Sequence, residues 1–530
     1  MKFLRRAVLT ISLLSLATNT FAAVSDLRIS VDSFQWSSRR GTIAWNVTFG
    51  STGTEAPPAQ LAISLPPNAH LASADFYPVE NVGWTCTESA GQAVCSIPHL
   101  APNVARSAQI ALHSDDAQGG YHPVTFTLRA DVEDPDARNN SITRDAWWLR
   151  PFRVTTAADD GPGSLRQTIL DLNAQCGGDT GCEVLFALPL DAPPLIIEPL
   201  SPLPAITGSA ILIDADANVF PPAETNLRVA IDGSSLETGN GLEIRPRIAS
   251  HVPSLGVDVQ GLAVGNFPDN GVAIVPEVSS PIHLYRVYSG TDVTGGNARP
   301  NRARGFAINA GSSTVSAVTC IASGNARSGM FVSDVGELDI DLARIGVARD
   351  GITPLPNGAS GIYVERGRFS VVSDASVIAY NAHFGVALQP GVTGAVYARV
   401  HGNGGGSIDW GLDGPTANHA DVSVVPNKPE LSEVFYDAAT NETLVRGTLP
   451  GHRERVASLV VFANDRGDAA DMTQTAGSGY VPYEQQAFEV HLRGDLRGKS
   501  LTAVAYDTQW GDEPSALWRT SEVSDPLPVE

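Results

Sequence analysis

Gly241-Leu-Glu-Ile is the first copy of a four-residue sequence motif that recurs five more times in the chain. In each copy a glycine precedes three residues, of which the first and third are apolar. The copies follow one another at intervals of 24–34 residues, which is typical of architectures that stack one short unit on the next. The repeat therefore predicts a solenoid of parallel strands. The later copies are Gly271-Val-Ala-Ile, Gly305-Phe-Ala-Ile, Gly329-Met-Phe-Val, Gly361-Ile-Tyr-Val and Gly385-Val-Ala-Leu.

Asparagine supplies a second periodic feature in the same region. Asn266, Asn325 and Asn381 each stand four or five residues before a repeat glycine, and Asn403 precedes three further glycines. Asparagine tolerates left-handed backbone, and its amide can bond the same residue in the next turn. We therefore expect these four residues to form a structural ladder.

The first 23 residues have the layout of an export signal. A basic stretch with Lys2 precedes an apolar run from Ala7 to Leu16, and small residues follow up to Ala23. The run is too short to span a bilayer, and no later run is longer. We expect cleavage near residue 23 and a protein that is secreted, periplasmic or held at the cell surface, without a membrane span.

The charge balance excludes one class of partner. The 530-residue chain carries a net charge of -22 at pH 7 and has only three lysines. Phosphate backbones repel such an acidic surface, so we expect no nucleic acid partner.

Five cysteines are present. Cys86 and Cys95 lie nine residues apart, Cys176 and Cys182 lie six apart, and neither pair has the spacing of a zinc site. In an exported protein this pattern predicts two local disulfides. Cys320 stands among apolar residues and is predicted to be a buried free thiol.

Residues 24–150 alternate apolar and polar residues between turn signals, as in Thr42-Ile-Ala-Trp-Asn-Val-Thr-Phe. This alternation predicts an antiparallel β-sandwich. Leu61-Ala-Ile-Ser-Leu-Pro, Gly83-Trp-Thr-Cys and Asp134-Pro-Asp-Ala-Arg-Asn-Asn resemble pieces of the conserved-repeat, immunoglobulin-like domains of bacterial surface proteins. The resemblance implies a spacer or an adhesive module.

A short helix is predicted where the sandwich ends. In Gly161-Pro-Gly-Ser-Leu-Arg, Ser164 can cap a helix on which Leu165, Ile169 and Leu172 share one face. An amphipathic helix at this point would cover the open apolar core of the first solenoid turn.

This motif, followed by Pro202-Leu-Pro-Ala-Ile-Thr and Ile231-Asp-Gly, resembles the opening segment of secreted right-handed parallel β-helix repeat proteins. The resemblance implies a right-handed parallel β-helix over residues 151–425, with roughly nine turns between residues 195 and 421. It carries no catalytic residues over to this chain.

Beyond residue 426 the alternation of strands returns, as in Ala457-Ser-Leu-Val-Val-Phe-Ala-Asn and Leu501-Thr-Ala-Val-Ala-Tyr-Asp. The resemblance implies a second sandwich over residues 426–530 that covers the last solenoid turn and keeps the protein monomeric. The predicted fold class is all-β: a parallel β-helix flanked by two immunoglobulin-like β-sandwiches.

One predicted strand carries candidate catalytic residues. Glu337, Asp339 and Asp341 alternate with apolar residues, so all three carboxylates are expected on the outer face, with Leu342 among the inward side chains. Carboxylates two positions apart on a strand are about 6.6–7 Å apart, which suits a cation or two-carboxylate hydrolysis. Arg344 completes the candidate set. The alternative is a charged face that prevents edge pairing.

An arginine-rich segment is a further candidate for catalysis. Arg299-Pro-Asn-Arg-Ala-Arg faintly resembles the arginine-proline motif of pectate lyases, although the proline stands at a different offset. The other interpretation is a solvated loop between two solenoid turns. Arg366 and Arg368 are expected beside the carboxylate strand and would neutralise it.

The end of the solenoid offers oxygen ligands. Asp409, Asp413 and Asn418 lie in a segment that resembles the closing segment of the same β-helix family, and hard cations such as Ca²⁺ prefer carboxylate and amide oxygens. The spacing does not match an EF-hand loop. An ordinary capping turn is the alternative to a calcium site.

These patterns predict an exported, non-catalytic structural or adhesive protein whose β-helix surface binds polysaccharide or other cell-surface glycans. The alternative is a polysaccharide lyase or glycoside hydrolase that acts on acidic polysaccharide along the same surface. An enzyme needs acid and base groups that converge within hydrogen-bond reach, and a binding surface does not.

Overall fold

The computed structural model describes a chain made mostly of β-strands, in parallel sheets and in antiparallel, sandwich-like sheets. It divides into two compact units: the described residues up to Phe152 with Asp179–Glu183, and the remaining described residues. The predicted export signal, residues 1–23, lies outside the described part. The described residues are 25–36, 41–53, 58–77, 84–114, 119–187, 192–216, 226–250, 255–419, 425–451, 457–465, 470–482, 485–509 and 517–530.

Two antiparallel sheets make up the first unit. Its strands are β1 (Asp26–Trp36), β2 (Thr42–Thr52), β3 (Ala59–Ser64), β4 (His70–Tyr77), β5 (Thr85–Ser89), β6 (Gln92–Ile97), β7 (Arg106–His113), β8 (Gly120–Ala130) and β9 (Ser141–Val154). One sheet has the order β1-β2-β7-β4, and the other has the order β5-β6-β3-β8-β9. A short 3₁₀ turn covers Ala137–Asn139.

The two sheets share one apolar core, as the alternation of the sequence predicted. Trp45 of β2 and Phe126 of β8 are fully buried and meet edge to face, with ring centroids 5.5 Å apart. Cys86 and Cys95 stand opposite each other on β5 and β6 and form a disulfide. Aromatic burial is the main source of stability in a core of this size.

The second unit begins with the predicted helix. Helix α1 (Leu165–Gln175) starts after Ser164, whose hydroxyl accepts a hydrogen bond from the main-chain N–H of Gln167 at 3.1 Å. Leu165, Ile169 and Leu172 are buried, which confirms the predicted cap and apolar face. Along the chain after α1, Cys176 and Cys182 are each disulfide-bonded, and β10 (Gly181–Phe186) follows, of which Gly181–Glu183 belong to the first unit. None of the helices that the structure describes has the length and apolar character needed to cross a bilayer.

Three parallel sheets follow, which we call sheets A, B and C. Sheet A contains β12 (Ile211–Asp214), β15 (Val257–Gln260), β18 (Ile282–Tyr285), β21 (Thr314–Val318), β24 (Glu337–Asp341), β27 (Arg368–Val371) and β30 (Thr393–Val396). Sheet B contains β11 (Leu195–Ile197), β13 (Val229–Asp232), β16 (Leu262–Gly265), β19 (Tyr288–Ser289), β22 (Ile321–Ala322), β25 (Arg344–Ile345), β28 (Val377–Ala379) and β31 (Arg399–His401). Sheet C contains β14 (Leu242–Ile244), β17 (Val272–Ile274), β20 (Phe306–Asn309), β23 (Met330–Asp334), β26 (Ile362–Val364), β29 (Phe384–Leu388) and β32 (Gly406–Trp410).

The chain visits these sheets in the fixed order A, B, C. All six glycine tetrapeptides fall on sheet C, and their first apolar residues lie in register from Leu242 on β14 to Val386 on β29. The described residues complete seven rounds, from β12 to β32, instead of roughly nine. The predicted number was too high because two rounds contain long loops, which close through the bridges Thr291–Ala298 and Val347–Pro354.

An asparagine ladder runs through the turn before sheet C. Each side-chain amide donates to the next asparagine at 2.8–3.0 Å, in the order Asn301, Asn325, Asn357, Asn381 and Asn403. The ladder fills the space beside the repeat glycines. A Cβ atom on Gly361, for example, would stand 2.7 Å from the Asn381 amide nitrogen. The two periodic features of the sequence therefore form one packing unit.

The prediction for Asn266 was wrong. Asn266 has a left-handed backbone with φ of 62° and donates to Asp232, so it stays outside the ladder. Phe267 occupies the ladder position in this round, four residues before Gly271, and its N–H donates to Asn301 at 3.1 Å. A spacing of five residues instead of four moves the side chain out of the ladder.

The prediction for Leu342 was also wrong, because Leu342 is 40% exposed. One residue in left-handed conformation turns the chain from sheet A into sheet B in four successive rounds: Gly261, Arg286, Thr319 and Leu342, with φ of 77°, 52°, 55° and 53°. The strand alternation ends at this corner, so Leu342 cannot continue the inward series of β24.

Antiparallel strands close the second unit. They are β33 (Glu430–Asp437), β34 (Glu442–Thr448), β35 (Ala457–Asp465), β36 (Gln474–Val481), β37 (Ala487–Arg493), β38 (Lys499–Gln509), β39 (Leu517–Thr520) and β40 (Leu527–Pro528). One sheet has the order β33-β34-β37, and in the other β35 and β38 lie side by side.

These strands contact the last strand of each parallel sheet. Thr520 accepts a hydrogen bond from Val396 on β30, Met472 exchanges main-chain hydrogen bonds with Val400 on β31, and Glu522 accepts from Trp410 on β32. The last parallel edge is therefore paired instead of open to another chain, which limits edge-to-edge association.

Candidate functional site

Strand β24 of sheet A carries the three candidate carboxylates on its outer face. Glu337, Asp339 and Asp341 share this face, while the two apolar residues between them are fully buried. The neighbouring strand β27 supplies a partner for two of the carboxylates: Arg368 lies 3.8 Å from Glu337, and the Ser370 hydroxyl donates to Asp339. The structure therefore brings the three predicted acids together, and two of them bond to β27.

Arg344 is placed elsewhere. It begins β25 of sheet B, and its guanidinium donates to the main-chain oxygens of Ala343 at 3.1 Å and Ala375 at 2.6 Å. Burial lowers the pKa of Arg344 from its ordinary value. Arg366, which was expected to neutralise the carboxylate strand, pairs with Asp334 at 3.1 Å. The predicted catalytic set is thus divided between two sheets.

The candidate calcium ligands differ in exposure and in hydrogen-bond partners. Asp409 on β32 is only 1% exposed, whereas Asp413 is exposed and Asn418 bonds to the main chain of Lys428 and to Glu430. Among the residues that the structure describes, no three His, Cys, Asp or Glu side chains are grouped closely enough to hold a metal ion. Calcium binding stays a prediction.

The segment after β32 makes the contacts expected of a capping turn. Glu522 accepts hydrogen bonds from Trp410 N at 3.0 Å, Thr416 N at 2.7 Å and Thr416 Oγ1 at 2.7 Å. Burial, together with the charge of Glu522, raises the pKa of Asp409 to about 6. The Oδ2 atom of Asp409 is buried and has no hydrogen-bond partner among the described residues.

A different group of side chains stands on the outer face of sheet C. Phe331 on β23 and Tyr363 on β26 are in-register neighbours, half-buried, with ring centroids 5.4 Å apart and ring planes at 58°. The flanking residues in this column are Ala307 on one side and the fully buried Ala387 on the other. Two aromatic rings therefore stand above small neighbours. We call Phe331 and Tyr363 the aromatic platform.

Polar side chains surround the aromatic platform. The guanidinium carbon of Arg304 lies 3.9 Å from the centroid of the Phe331 ring, which is a close cation–π contact. The amide of Gln389 donates to the Tyr363 hydroxyl at 3.1 Å. Burial and the carboxylate of Glu365 raise the pKa of Tyr363. The surface thus combines flat apolar rings with donors and an acceptor.

Sequence reasoning missed the aromatic platform although the repeat contained the signal. Phe331 and Tyr363 occupy the middle position of Gly329-Met-Phe-Val and Gly361-Ile-Tyr-Val, the position that points outward from a strand. Each of the other four copies has alanine or glutamate there. Aromatic residues in two consecutive copies at an outward position favour a binding surface over a core role.

The chain matches no family model and no curated protein. Parts of it are similar to solved structures: the chitin-binding domain of a chitinase from Pyrococcus furiosus (13% identity, 21% of this chain and 98% of that chain, TM-score 0.14), a non-cellulosomal cohesin from Archaeoglobus fulgidus (13%, 23% and 91%, TM-score 0.17) and the Actinomyces fimbrial adhesin FimA (10%, 24% and 60%, TM-score 0.18). With TM-scores this low, the likenesses carry no argument about this chain. What the chain binds must be inferred from its own residues.

Proposed function

We propose that this protein is an exported, non-catalytic glycan-binding protein and that the aromatic platform of sheet C is its binding surface. In this proposal the three parallel sheets form a right-handed β-helix of the secreted repeat family. An immunoglobulin-like sandwich precedes the β-helix, the C-terminal sheets cover its last turn, and the protein is a monomer.

The observation that carries the proposal is the pair of outward rings, Phe331 and Tyr363. The C–H groups of a sugar ring form a weakly positive apolar surface, which packs on the negative face of an aromatic ring. Gln389 and Glu365 at the rim can exchange hydrogen bonds with sugar hydroxyls, which fixes the orientation of the ligand. A sheet with seven parallel strands in sequence suits an extended polymer that crosses several strands.

Sheet A supports a catalytic role less well. Glu337 is paired with Arg368, and Asp339 accepts from Ser370, so two of the three carboxylates already have partners. Arg344, the basic residue of the predicted set, belongs to another sheet. General acid–base catalysis needs groups that converge on one reacting bond.

The test is the loss of binding when both rings are removed. We expect the double variant Phe331→Ala/Tyr363→Ala to bind its glycan at least about tenfold more weakly, because each stacked ring contributes roughly 0.5–1.5 kcal/mol beyond its buried area. Affinity electrophoresis of the full chain in gels that contain single polysaccharides, neutral and acidic, measures the change.

The matched control is Tyr480→Ala, which removes a tyrosine that is 67% exposed on β36. Its mobility should equal that of the wild type in every gel. Equal retardation of the wild type and the double variant would overturn the proposal. So would release of unsaturated or reducing ends by the wild type that stops in Asp339→Ala or Asp341→Ala.

A further inference from the structure

A cluster of arginines lies beside the aromatic platform. Arg302, Arg304 and Arg327 stand in the turns that lead into β20 and β23, and the main-chain N–H of Arg327 donates to Ala303 at 2.9 Å, so the two turns stack directly. Arg302 and Arg327 are exposed, and Arg304 is half-buried. Burial and the nearby charge of Arg327 lower the pKa of Arg304. The charges of Arg304 and Arg327 therefore lie close together at one edge of the platform.

None of these three arginines has a carboxylate within 4.0 Å among the described residues. Other exposed arginines of this acidic chain do have acidic partners: Arg247 lies 2.9 Å from Glu277, and Arg497 lies 2.7 Å from Asp495. Arg129 and Arg493 are exposed without such a partner among the described residues. Repulsion between like charges disfavours such a cluster unless an anion offsets it. In a chain with net charge -22, the charge of Arg304 is opposed by Glu365 but by no ion pair within 4.0 Å in the described part.

The position of Arg304 links this charge to the rings. Its guanidinium lies over Phe331, so a sugar that stacks on the neighbouring Tyr363 has its ring substituents beside the positive group. A guanidinium donates two parallel hydrogen bonds to a carboxylate or a sulfate, and it also packs flat on an aromatic ring. Glu365 directly follows the last residue of β26, Val364, and its charge acts on both Tyr363 and Arg304. It therefore offsets part of the positive charge at this edge.

We propose that the ligand of the aromatic platform is an anionic glycan, whose carboxylate or sulfate groups bind Arg304 and Arg327 while a sugar ring stacks on Tyr363 beside Phe331. This inference rests on the proposed function. It adds the chemical class of the polymer and names the groups that select it.

The experiment compares three polymers on the full chain: polygalacturonate, the same polymer after chemical reduction of its carboxyl groups, and dextran sulfate. We expect the wild type to bind polygalacturonate at least tenfold more tightly than the reduced polymer, with an affinity that falls as salt rises. The variant Arg304→Gln/Arg327→Gln should lose at least tenfold in affinity for polygalacturonate and little for the reduced polymer.

The control Arg138→Gln/Arg497→Gln removes two exposed arginines far from sheet C in the sequence and changes the net charge equally. It should bind as the wild type does, and thermal melting checks that each variant folds. Dextran sulfate bound in the same arginine-dependent way also supports the proposal, and then shows that any anionic group suffices.

Two outcomes separate the inference from the proposed function. If the reduced polymer binds as tightly as polygalacturonate, or if the arginine variant binds as the wild type does, the anionic selectivity is wrong. Polymer binding that is lost in Phe331→Ala/Tyr363→Ala would still support the proposed function. If no polymer is bound, both ideas are wrong.

Discussion

Asn357→Ala is expected to lower the free energy of unfolding of the parallel-sheet region by roughly 3 kcal/mol, because it leaves several buried polar groups without partners at about 1–3 kcal/mol for each group. The Asn357 amide donates to Ala322 O at 2.7 Å and to Asn381 Oδ1 at 2.8 Å. Its oxygen accepts from both the main chain and the side chain of Asn325 at 3.0 Å. The residue is 0% exposed, so water cannot easily replace these bonds.

Urea unfolding followed by far-ultraviolet circular dichroism measures the effect. The matched control is Asn240→Ala. Asn240 belongs to a separate and more exposed pair of asparagines, in which it accepts a hydrogen bond from Asn270 at 3.0 Å. We expect the control to lose less than about 1 kcal/mol, since solvent can reach the groups that it leaves. A loss at position 357 no larger than this control would mean that the ladder adds little to stability.

The asparagine ladder was predicted only in part from the sequence. Asn301 and Asn357 stand four residues before Gly305 and Gly361, at the same spacing as Asn325, yet they were not predicted as ladder members. Both follow long loops, which made these segments resemble irregular insertions. The spacing to the next glycine, instead of the distance from the previous strand, decides membership, because the asparagine packs against that glycine.

Local patterns predicted the elements that local physics determines. The cap at Ser164, the buried face of α1 and the inward residues of sheet C each depend on neighbours within one turn or one strand. The aromatic platform could also have been predicted, because its prediction requires only the outward position in the repeat and the residue type at that position. The division of Glu337 and Arg344 between two sheets could not be predicted, since it depends on where the left-handed corner at Leu342 ends the strand.

Contacts between distant segments left no periodic signal. Glu522 bonds to Trp410, which lies 112 residues earlier in the chain, and nothing near either residue indicates the other. The surroundings of Asp409 follow from this contact, so its perturbed pKa was also not predictable. Its prediction as a calcium ligand came from its residue type and from the resemblance of its segment to the closing segment of the β-helix family.

Asp409→Asn is expected to stabilise the protein by about 2 kcal/mol at pH 8 and by little at pH 4, since one unit of pKa shift corresponds to about 1.4 kcal/mol and part of that is lost to relaxation. The folded-state pKa of Asp409 is raised from 3.8 to about 6. The native state therefore holds this proton more tightly than the unfolded chain, and stability falls as the pH rises from about 4 through 6. Asparagine carries no charge at any pH, so the variant avoids this loss.

The shape of the side chain makes asparagine a conservative replacement. Its oxygen can still accept from the main-chain N–H groups of Leu412 and Gly414, which lower the pKa of Asp409, and its amide can donate towards Glu522. Urea unfolding at pH 4 and pH 8 gives the difference between variant and wild type at each pH. Asp413→Asn, an exposed neighbour with the same change in charge, is the control and should show a much smaller difference, because its charge is one of the lesser causes of the raised pKa of Asp409.

An equal gain at both pH values would mean that the effect of Asp409→Asn comes from packing and not from ionisation. A loss of stability at pH 8 would mean that the charged carboxylate makes a favourable contact, and added Ca²⁺ would then show whether a cation provides it. The expected result, a gain that grows as the pH rises from about 4 to 6, would instead show that burial beside Glu522 disfavours the charged form of Asp409 at the junction of sheet C with the C-terminal strands. That junction would then be tighter in acid than at neutral pH.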